Sequence, residues 1–341
     1  MNPDAPLAPG KLPPALLDAL LREHGSAPDP RLLIGPRVGE DAAIIDMGDR
    51  WLVAKSDPIT FATDAIGYYA VNVNANDIAA MGGTPRWFLA TLLLPETGST
   101  PEMVRDIFAQ IQHACEALDI TLAGGHTEVT VGLSRPILSG HMLGEILERD
   151  HLVSSAGAQV GDAILLTKGF PLEGVSIIAR ECADQLLAKG FSQAEIARWQ
   201  DYLYTPGISV VRDAQILRQA VEVHAMHDPT EGGVATGVHE LAQAAGVGAR
   251  LLADTLPQLE DGGQICAALG LNPLGTIASG ALLATVPANQ TAAAIAACEA
   301  GGIACYAIGV ITDQAAGIQL ERDGGVTPLP LFVQDEIVKL F

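Results

Sequence analysis

The sequence predicts two α+β domains, and three observations predict them. At 341 residues the chain is longer than one ordinary hydrophobic core organises. Hydrophobic residues make up 49% and aromatics only 4%, a balance that suits packed α/β layers better than a surface for stacking bases. Short apolar runs alternate with helical stretches on either side of a turn at Ala158-Gln159-Val160-Gly161-Asp162. The division is placed near residue 155, giving units 1–155 and 156–341.

In the first unit a helix is expected from Pro14 to His24, stopping near Gly25. Ala42–Asp46 and Trp51–Lys55 read as strands. Gly67 to Met81 has the length of a helix, ended by Gly82-Gly83 and then Pro85. Trp87–Leu94 reads as a strand. A helix opens after Ser99-Thr100-Pro101 and runs to about Leu118, with Val104, Ile107, Phe108, Ile111 and Cys115 on one face. A further strand enters Gly124-Gly125, and Pro136–Leu147 closes the unit. The second unit starts with a strand, Ala163–Thr167, a glycine loop at Gly169–Gly174 and a helix from about Val175. Ser209–Gln219, Glu222–Met226, Gly233–Ala245, Ile277–Val286, Thr291–Ala300 and Ile303–Ile311 continue the alternation.

Composition narrows the function. No apolar run reaches the roughly 18 residues that span a bilayer, and Met1–Lys11 has Pro and Asp where a secretory signal has a basic segment and an apolar run. A cytoplasmic protein is expected, with no membrane contact. Five scattered cysteines without a CxxC pair indicate neither a disulfide framework nor a zinc knuckle. Acidic residues outnumber basic ones 40 to 19, for a net charge of −21, which argues against nucleic acid. A chain with so few cations would hold a polyphosphate only through metal ions bridging acid to phosphate.

Four clusters in the first unit set a carboxylate beside small residues at the end of an apolar run. They are Gly39-Glu40-Asp41-Ala42-Ala43, Lys55-Ser56-Asp57-Pro58, Asn74-Ala75-Asn76-Asp77 and Gly124-Gly125-His126-Thr127-Glu128. Carboxylates at strand ends can converge, and hard oxygen donors are what Mg²⁺ takes. An Asp inside a small, apolar helix is costly to bury unless it binds something; each cluster taken alone is as compatible with an acid accepting backbone hydrogen bonds. The second unit adds His227-Asp228-Pro229-Thr230-Glu231-Gly232-Gly233, whose glycines open a helix and offer N–H groups to an anion. Thr167-Lys168-Gly169 has the same grammar, with Lys168 the obvious cation. For both, a tight turn that needs glycine is the plainer reading. A P-loop, a GxGxxG fingerprint, an HExxH zinc site and a GxSxG elbow are all missing.

Taken in order, these segments resemble the aminoimidazole-ribotide (AIR) synthetase-like superfamily, over residues 35 to 312. Gly39–Ala43 matches its Gly-(Asp/Glu)-Asp-Ala-Ala pattern, Ser56-Asp57 its Thr-Asp, and Asn76–Gly83 its Asn-Asp-Leu-Ala-Met-Met-Gly-Ala. The resemblance implies a PurM-like fold: a ferredoxin-like N-terminal domain forming a barrel across a homodimer, a C-terminal α/β domain, and ATP between them. It implies Mg²⁺ ligands at Asp41, Asp57, Asp77 and Asp228, with ATP contacts at Lys168, Gly169, Asn76, Thr127, Gly232 and Gly233. Asp228–Thr236, Glu240–Ala242, Gly246–Gly248 and Leu269–Leu274 are most similar to the HypE hydrogenase-maturation branch. That branch uses ATP to dehydrate a carbamoyl group on its own C-terminal cysteine, so a carbamoyl-type or other small acceptor and a hydrogenase-maturation partner are implied. The chain ends Glu336–Phe341 without that cysteine, and Gly124–Thr127 is closer to the selenophosphate synthetase pattern. His126, Glu128 and Glu231 are the candidate catalytic groups. A thiamine-monophosphate-type kinase and a non-catalytic nucleotide-binding assembly protein are the other readings.

Overall fold

Residues 11–24, 29–37, 39–60 and 62–341 are described by the structure, a computed structural model. Helix α1 covers Pro14–His24 as expected; its stop near Gly25 and the segment Met1–Gly10 lie outside the described residues. Strands β1 (Leu32–Ile34), β2 (Ala43–Asp46) and β3 (Trp51–Ile59) follow, then α2 (Ile66–Ala80), β4 (Thr84–Pro95), α3 (Pro101–Ala117), β5 (Thr121–Thr130) and β6 (Ile137–Ile146). The strands form one sheet in the order β1-β2-β3-β6-β4-β5, antiparallel except for the parallel β4–β5 pair. The Thr100 hydroxyl caps α3 by accepting from the Met103 N–H at 3.2 Å, with Pro101 opening the helix. Its buried face is Ile107, Ile111, Ala114 and Cys115. Phe108, expected on that face, is exposed because it stands about 100° round from Ile107.

The second unit holds β7 (Ala163–Thr167), α4 (Leu172–Glu181), α5 (Ala183–Ala188), α6 (Gln193–Gln200), α7 (Val211–Ala220), β8 (Ala225–His227), α8 (Gly233–Ala245), β9 (Gly248–Leu252) and α9 (Glu260–Leu269). After them come β10 (Leu283–Val286), α10 (Thr291–Ala300), β11 (Cys305–Thr312), β12 (Ile318–Arg322) and β13 (Gly325–Pro328). The sheet order is β13-β12-β9-β11-β7-β10-β8. Several elements differ from expectation. α4 starts at Leu172 rather than Val175, directly after Pro171. Ile277–Val286 is a strand only from Leu283, because Gly280 at φ +98° turns the chain just before it. α5, α6, α9, β9, β12 and β13 lie in stretches that carried no clear period; α6 is fixed by a capping box between Ser192 and Glu195.

Helix α2 joins the halves. All but one of its 15 residues are buried, and it packs on β3, β6, α3 and α7. A helix buried all round is apolar all round, which here means Ala, Val, Ile, Gly and Tyr with three Asn and one Asp. One hydrophobic cluster runs from Ile78, Phe88, Leu138 and Met142 to Leu172, Ile178 and Trp199 of the second unit. Each fully buried side chain of this size contributes roughly 1.5–3 kcal/mol.

Candidate functional site

Asp41 stands just before β2, Asp77 in the last turn of α2 and Asp228 just after β8. One carboxylate oxygen from each lies within 4.8 Å of the others. All three are buried, Asp228 at 1% exposure. Among the described residues, both oxygens of Asp228, and one each of Asp41 and Asp77, have no hydrogen-bond partner. Unpaired buried carboxylate oxygens are expensive, and three hard oxygen donors facing one another fit a Mg²⁺-type ion. Asp57, the fourth acid expected to hold metal, lines the same cavity but is not one of the three whose oxygens meet. Asn74 clamps its backbone, accepting from the Asp57 N–H at 2.9 Å and donating to the Asp57 carbonyl at 3.1 Å. Gly140, paired with Asp57 across the sheet, leaves room for that amide; a Cβ there would lie 2.3 Å from Asn74 Nδ2.

The acids open onto a cavity of about 370 Å³ lined also by Lys11, Arg37, Lys55, His227, Glu231, Gly232, Glu240 and the 331–335 segment. Lys55 Nζ lies 3.2 Å from Asp77 and 3.5 Å from Asp57. Burial works against its charge, but Asp77, Asp57, Asp41 and Asp228 together raise its pKa. Burial pushes the Asp77 carboxyl up to about 7, with Lys55 opposing and Asp57 and Asp41 adding. Asp228 is pushed well up by burial and by its acidic neighbours. His227 is held between Asp41 at 2.8 Å and Glu240 at 3.0 Å. Burial disfavours its imidazolium, yet these two carboxylates raise its pKa well above the usual value. Glu240 is held down to about 2 by Lys11 and His227, against its burial.

Other expected contacts stand elsewhere. Gly232 caps α8 at φ +81° and lines the cavity, but its N–H is taken by Asp335 at 2.6 Å; the Gly233 N–H bonds the Thr230 carbonyl. Glu231 faces the cavity and accepts from the Lys11 backbone N–H at 3.2 Å; burial raises its pKa while Lys11 lowers it. Asn76 turns away, bonding the Ile208 carbonyl and the Val210 N–H, both at 2.8 Å. Lys168 is buried, paired with Asp213 at 3.2 Å and donating to the Ser209 and Gly280 carbonyls. Gly169 packs against Pro257 beside it. Neither faces the acid cavity, because their loop lies on the side of α7. His126, Thr127 and Glu128 sit on exposed β5, where His126 and Glu128 pair at 3.1 Å. Residues that were not foreseen include Lys11, Lys55, His227 and Glu240. Lys55 was legible: two residues before Asp57 on a strand, it shares that face.

Comparison with known proteins gives the family. The family model "AIR synthase related protein, N-terminal domain" matches residues 39–146, and the C-terminal domain model matches 159–320. A hydrogenase expression/formation protein of Methanocaldococcus jannaschii is 28% identical over 256 residues, covering 72% of this chain and 70% of the relative. A selenide, water dikinase of Dechloromonas aromatica is 31% identical over 255 residues, 73% and 69% of the two chains. Among solved structures, a HypE–HypF complex matches with a TM-score of 0.74 at 21% identity, over 92% of this chain and 100% of the other. HypE in complex with ATP matches at 0.71 and 24%, over 92% of each. With both family models in register, covering most of the chain and all four metal-candidate acids, this protein belongs to the AIR synthase related family.

Proposed function

We propose that the protein is a Mg-ATP-dependent enzyme of the HypE kind, which activates an amide- or carbamoyl-type oxygen by phosphorylation. The observation that carries this reading is the buried trio Asp41, Asp77 and Asp228, with oxygens left without partners beside a cavity of about 370 Å³. Asp41, Asp77 and Asp228 would hold Mg²⁺, with Asp57 beside them. Bound there, the ion supplies charge neutralisation for a triphosphate that so acidic a chain otherwise repels. Lys55 offsets the charge of Asp77 and Asp57 and is the cation best placed to follow a phosphoryl group. His227, hydrogen-bonded to Glu240 through Nε2 and with Nδ1 2.8 Å from Asp41, would orient that acid. Relatives support the nucleotide: a matching HypE is solved with ATP, and another match is named a dikinase. The HypE–HypF complex supports a hydrogenase-maturation partner. We divide the chain at residue 155, between β6 and β7.

We further infer a homodimer that pairs through β5. This strand ends its sheet with nine of ten residues exposed; Leu122 and Val129 on it, and Val131 just after it, are exposed apolar side chains. An uncovered edge of this length invites pairing. His126, Thr127 and Glu128 would then lie in that interface. No helix among the described residues is long and apolar enough to cross a membrane, consistent with a cytoplasmic site of action.

Calorimetric titration of ATP with and without Mg²⁺ tests the reading. Wild-type protein should bind ATP only with the metal. Asp228→Asn should weaken binding at least about 100-fold, because partners one step behind a metal ligand already cost 10–100-fold. Equal binding in EDTA, or none in folded protein, overturns it.

A further inference from the structure

Away from the acids, a hollow of about 220 Å³ opens where the end of α2 meets α7, and one of about 100 Å³ adjoins it. Arg218, in the last turn of α7, lines both, as does Thr84. Gly82, Arg86, Glu145, Glu148 and His151 form the rest of the larger hollow's polar wall. Gly82 makes its shape possible. At φ +79° it lets the turn Arg149–His151 close on the end of α2, where a Cβ would run into the His151 carbonyl.

The charges around Arg218 do not match up. Glu145 is taken by Arg50 at 2.7 Å, with Arg86 beside it at 3.7 Å, and Glu148 stands 2.8 Å from His151 Nε2. Among the described residues no carboxylate lies within ion-pair distance of Arg218. Its one hydrogen bond runs from Nη2 to His151 Nδ1 at 3.4 Å, and its buried Nε has no partner. A guanidinium carries five N–H donors, and leaving a buried one unmet is costly. Burial lowers the Arg218 pKa, with Glu148 opposing. A cation in the last turn of a helix gains a little from the helix dipole, but that gain does not occupy the buried Nε.

We propose that this hollow is a binding site for a small organic monocarboxylate, held by the Arg218 guanidinium, with a short aliphatic tail against Ala79, Val211 and Ala214 of the adjoining hollow. The planar fork of arginine matches the two oxygens of a carboxylate. Charge sets the class. Arg86 and Arg218 are balanced by Glu145 and Glu148 in the same wall, so a single added negative charge is accepted where a phosphate dianion leaves an excess. An uncharged amide offers one acceptor oxygen in place of two and nothing to offset the guanidinium. The ligand would tie α7 to the end of α2, and the inference stands apart from the nucleotide reading.

Propionate, propionamide and inorganic phosphate are the probes, used at one fixed ionic strength without nucleotide. Saturation-transfer NMR should show propionate binding at least about tenfold tighter than propionamide, the step expected when a hydrogen bond to a charged group is lost. Phosphate should displace it only weakly. Propionate should also raise the melting temperature of the wild-type protein. Arg218→Met should lose at least about tenfold in propionate affinity, and Arg218→Lys, which keeps the charge but not the fork, should fall between. Without ligand, Arg218→Met should melt no lower than wild type, because an unpaired buried guanidinium has been removed. Equal binding of propionamide, phosphate binding as tightly as propionate, or unchanged propionate affinity in folded Arg218→Met overturns the proposal. So does a large drop in melting temperature for Arg218→Met, which would make Arg218 a structural joint.

Discussion

Asp228 and Lys168 each follow a strand of the same sheet, each is buried, and each precedes a glycine that leads into a helix. Their surroundings differ. Lys168 has two carbonyls and an ion pair with Asp213 at 3.2 Å, so its own charge is met within a joint between β7, α7 and the Gly280 turn. That pair is all that compensates the buried Asp213 carboxylate, whose oxygens have no hydrogen bond among the described residues. Asp228 has no partner on either oxygen and faces two more acids across an open cavity. A satisfied buried charge holds structure together; an unsatisfied one beside a cavity marks where something binds. The lesson extends to Asn76 and Asn74. Both are buried amides of α2, and each ties down backbone from another element. Only Asn74 borders the site, through Asp57.

The contrast can be broken by substitution. Lys168→Met leaves Asp213 buried without its cation and should cost about 3–5 kcal/mol of stability. Mg-ATP affinity of the folded fraction should stay within a few-fold, which denaturant melts and calorimetry on one preparation would check. A large loss of nucleotide binding in folded Lys168→Met would return this loop to the site.

Protonation sharpens the same comparison. Asp77 and Glu173 both have folded pKa values near 7, against ordinary values of 3.8 and 4.5. The folded state therefore binds more protons than the unfolded state between about pH 4 and 7. Their contribution is greatest below the unfolded pKa and is lost as pH rises through 7. For the metal-free protein this loss should be on the order of 3 kcal/mol for Glu173. Denaturant midpoints across that range, measured with and without Mg²⁺, should fall with pH and fall less with metal. Glu173→Gln should flatten the slope. Glu240, held near 2, acts in the opposite sense, lending stability that disappears only as pH drops through 2.

The smallest effect is expected at Asn76. Asn76→Ala strands the Ile208 carbonyl and the Val210 N–H in a buried place, at a cost of about 1–3 kcal/mol. Nucleotide affinity should be unchanged, and a matched loss of both would show that the α2–α7 joint reaches the acids.

Much of the site was legible before the fold was known. Asp41, Asp57, Asp77 and Asp228 each sat at the end of an apolar run or inside an apolar helix, where burial of a carboxylate has to be compensated. Helices with a clear period and clean punctuation, such as α3, α8 and α10, fell within a residue of expectation. The stretch from Ala183 to Gln200 did not, since α5 and α6 are short and depend on a capping box and on Trp199 burying itself against Phe191. Lys168 and Asn76 were misread for one reason: a polar side chain beside a functional motif has the same local signature whether it points into the cavity or away from it.

By itself, the sequence determined the two-unit α+β plan, the acid-rich and cation-poor character that makes metal the natural bridge to a phosphate, and which carboxylates to watch. Only the tertiary structure decided which of them meet. Asp41, Asp77 and Asp228 are brought together because the buried α2 packs on the first sheet and on α7 and touches β8 of the second, which sets Asp77 in its last turn beside the other two acids. The same packing gave Lys168 its partner, set Glu173 in the wall of a hollow beside the acids, and placed Lys55 among four acids. Local sequence fixes what a side chain is able to donate or accept. Its partner is chosen by residues as many as 220 positions away, as Lys11 and Glu231 are, through burial that no local pattern encodes.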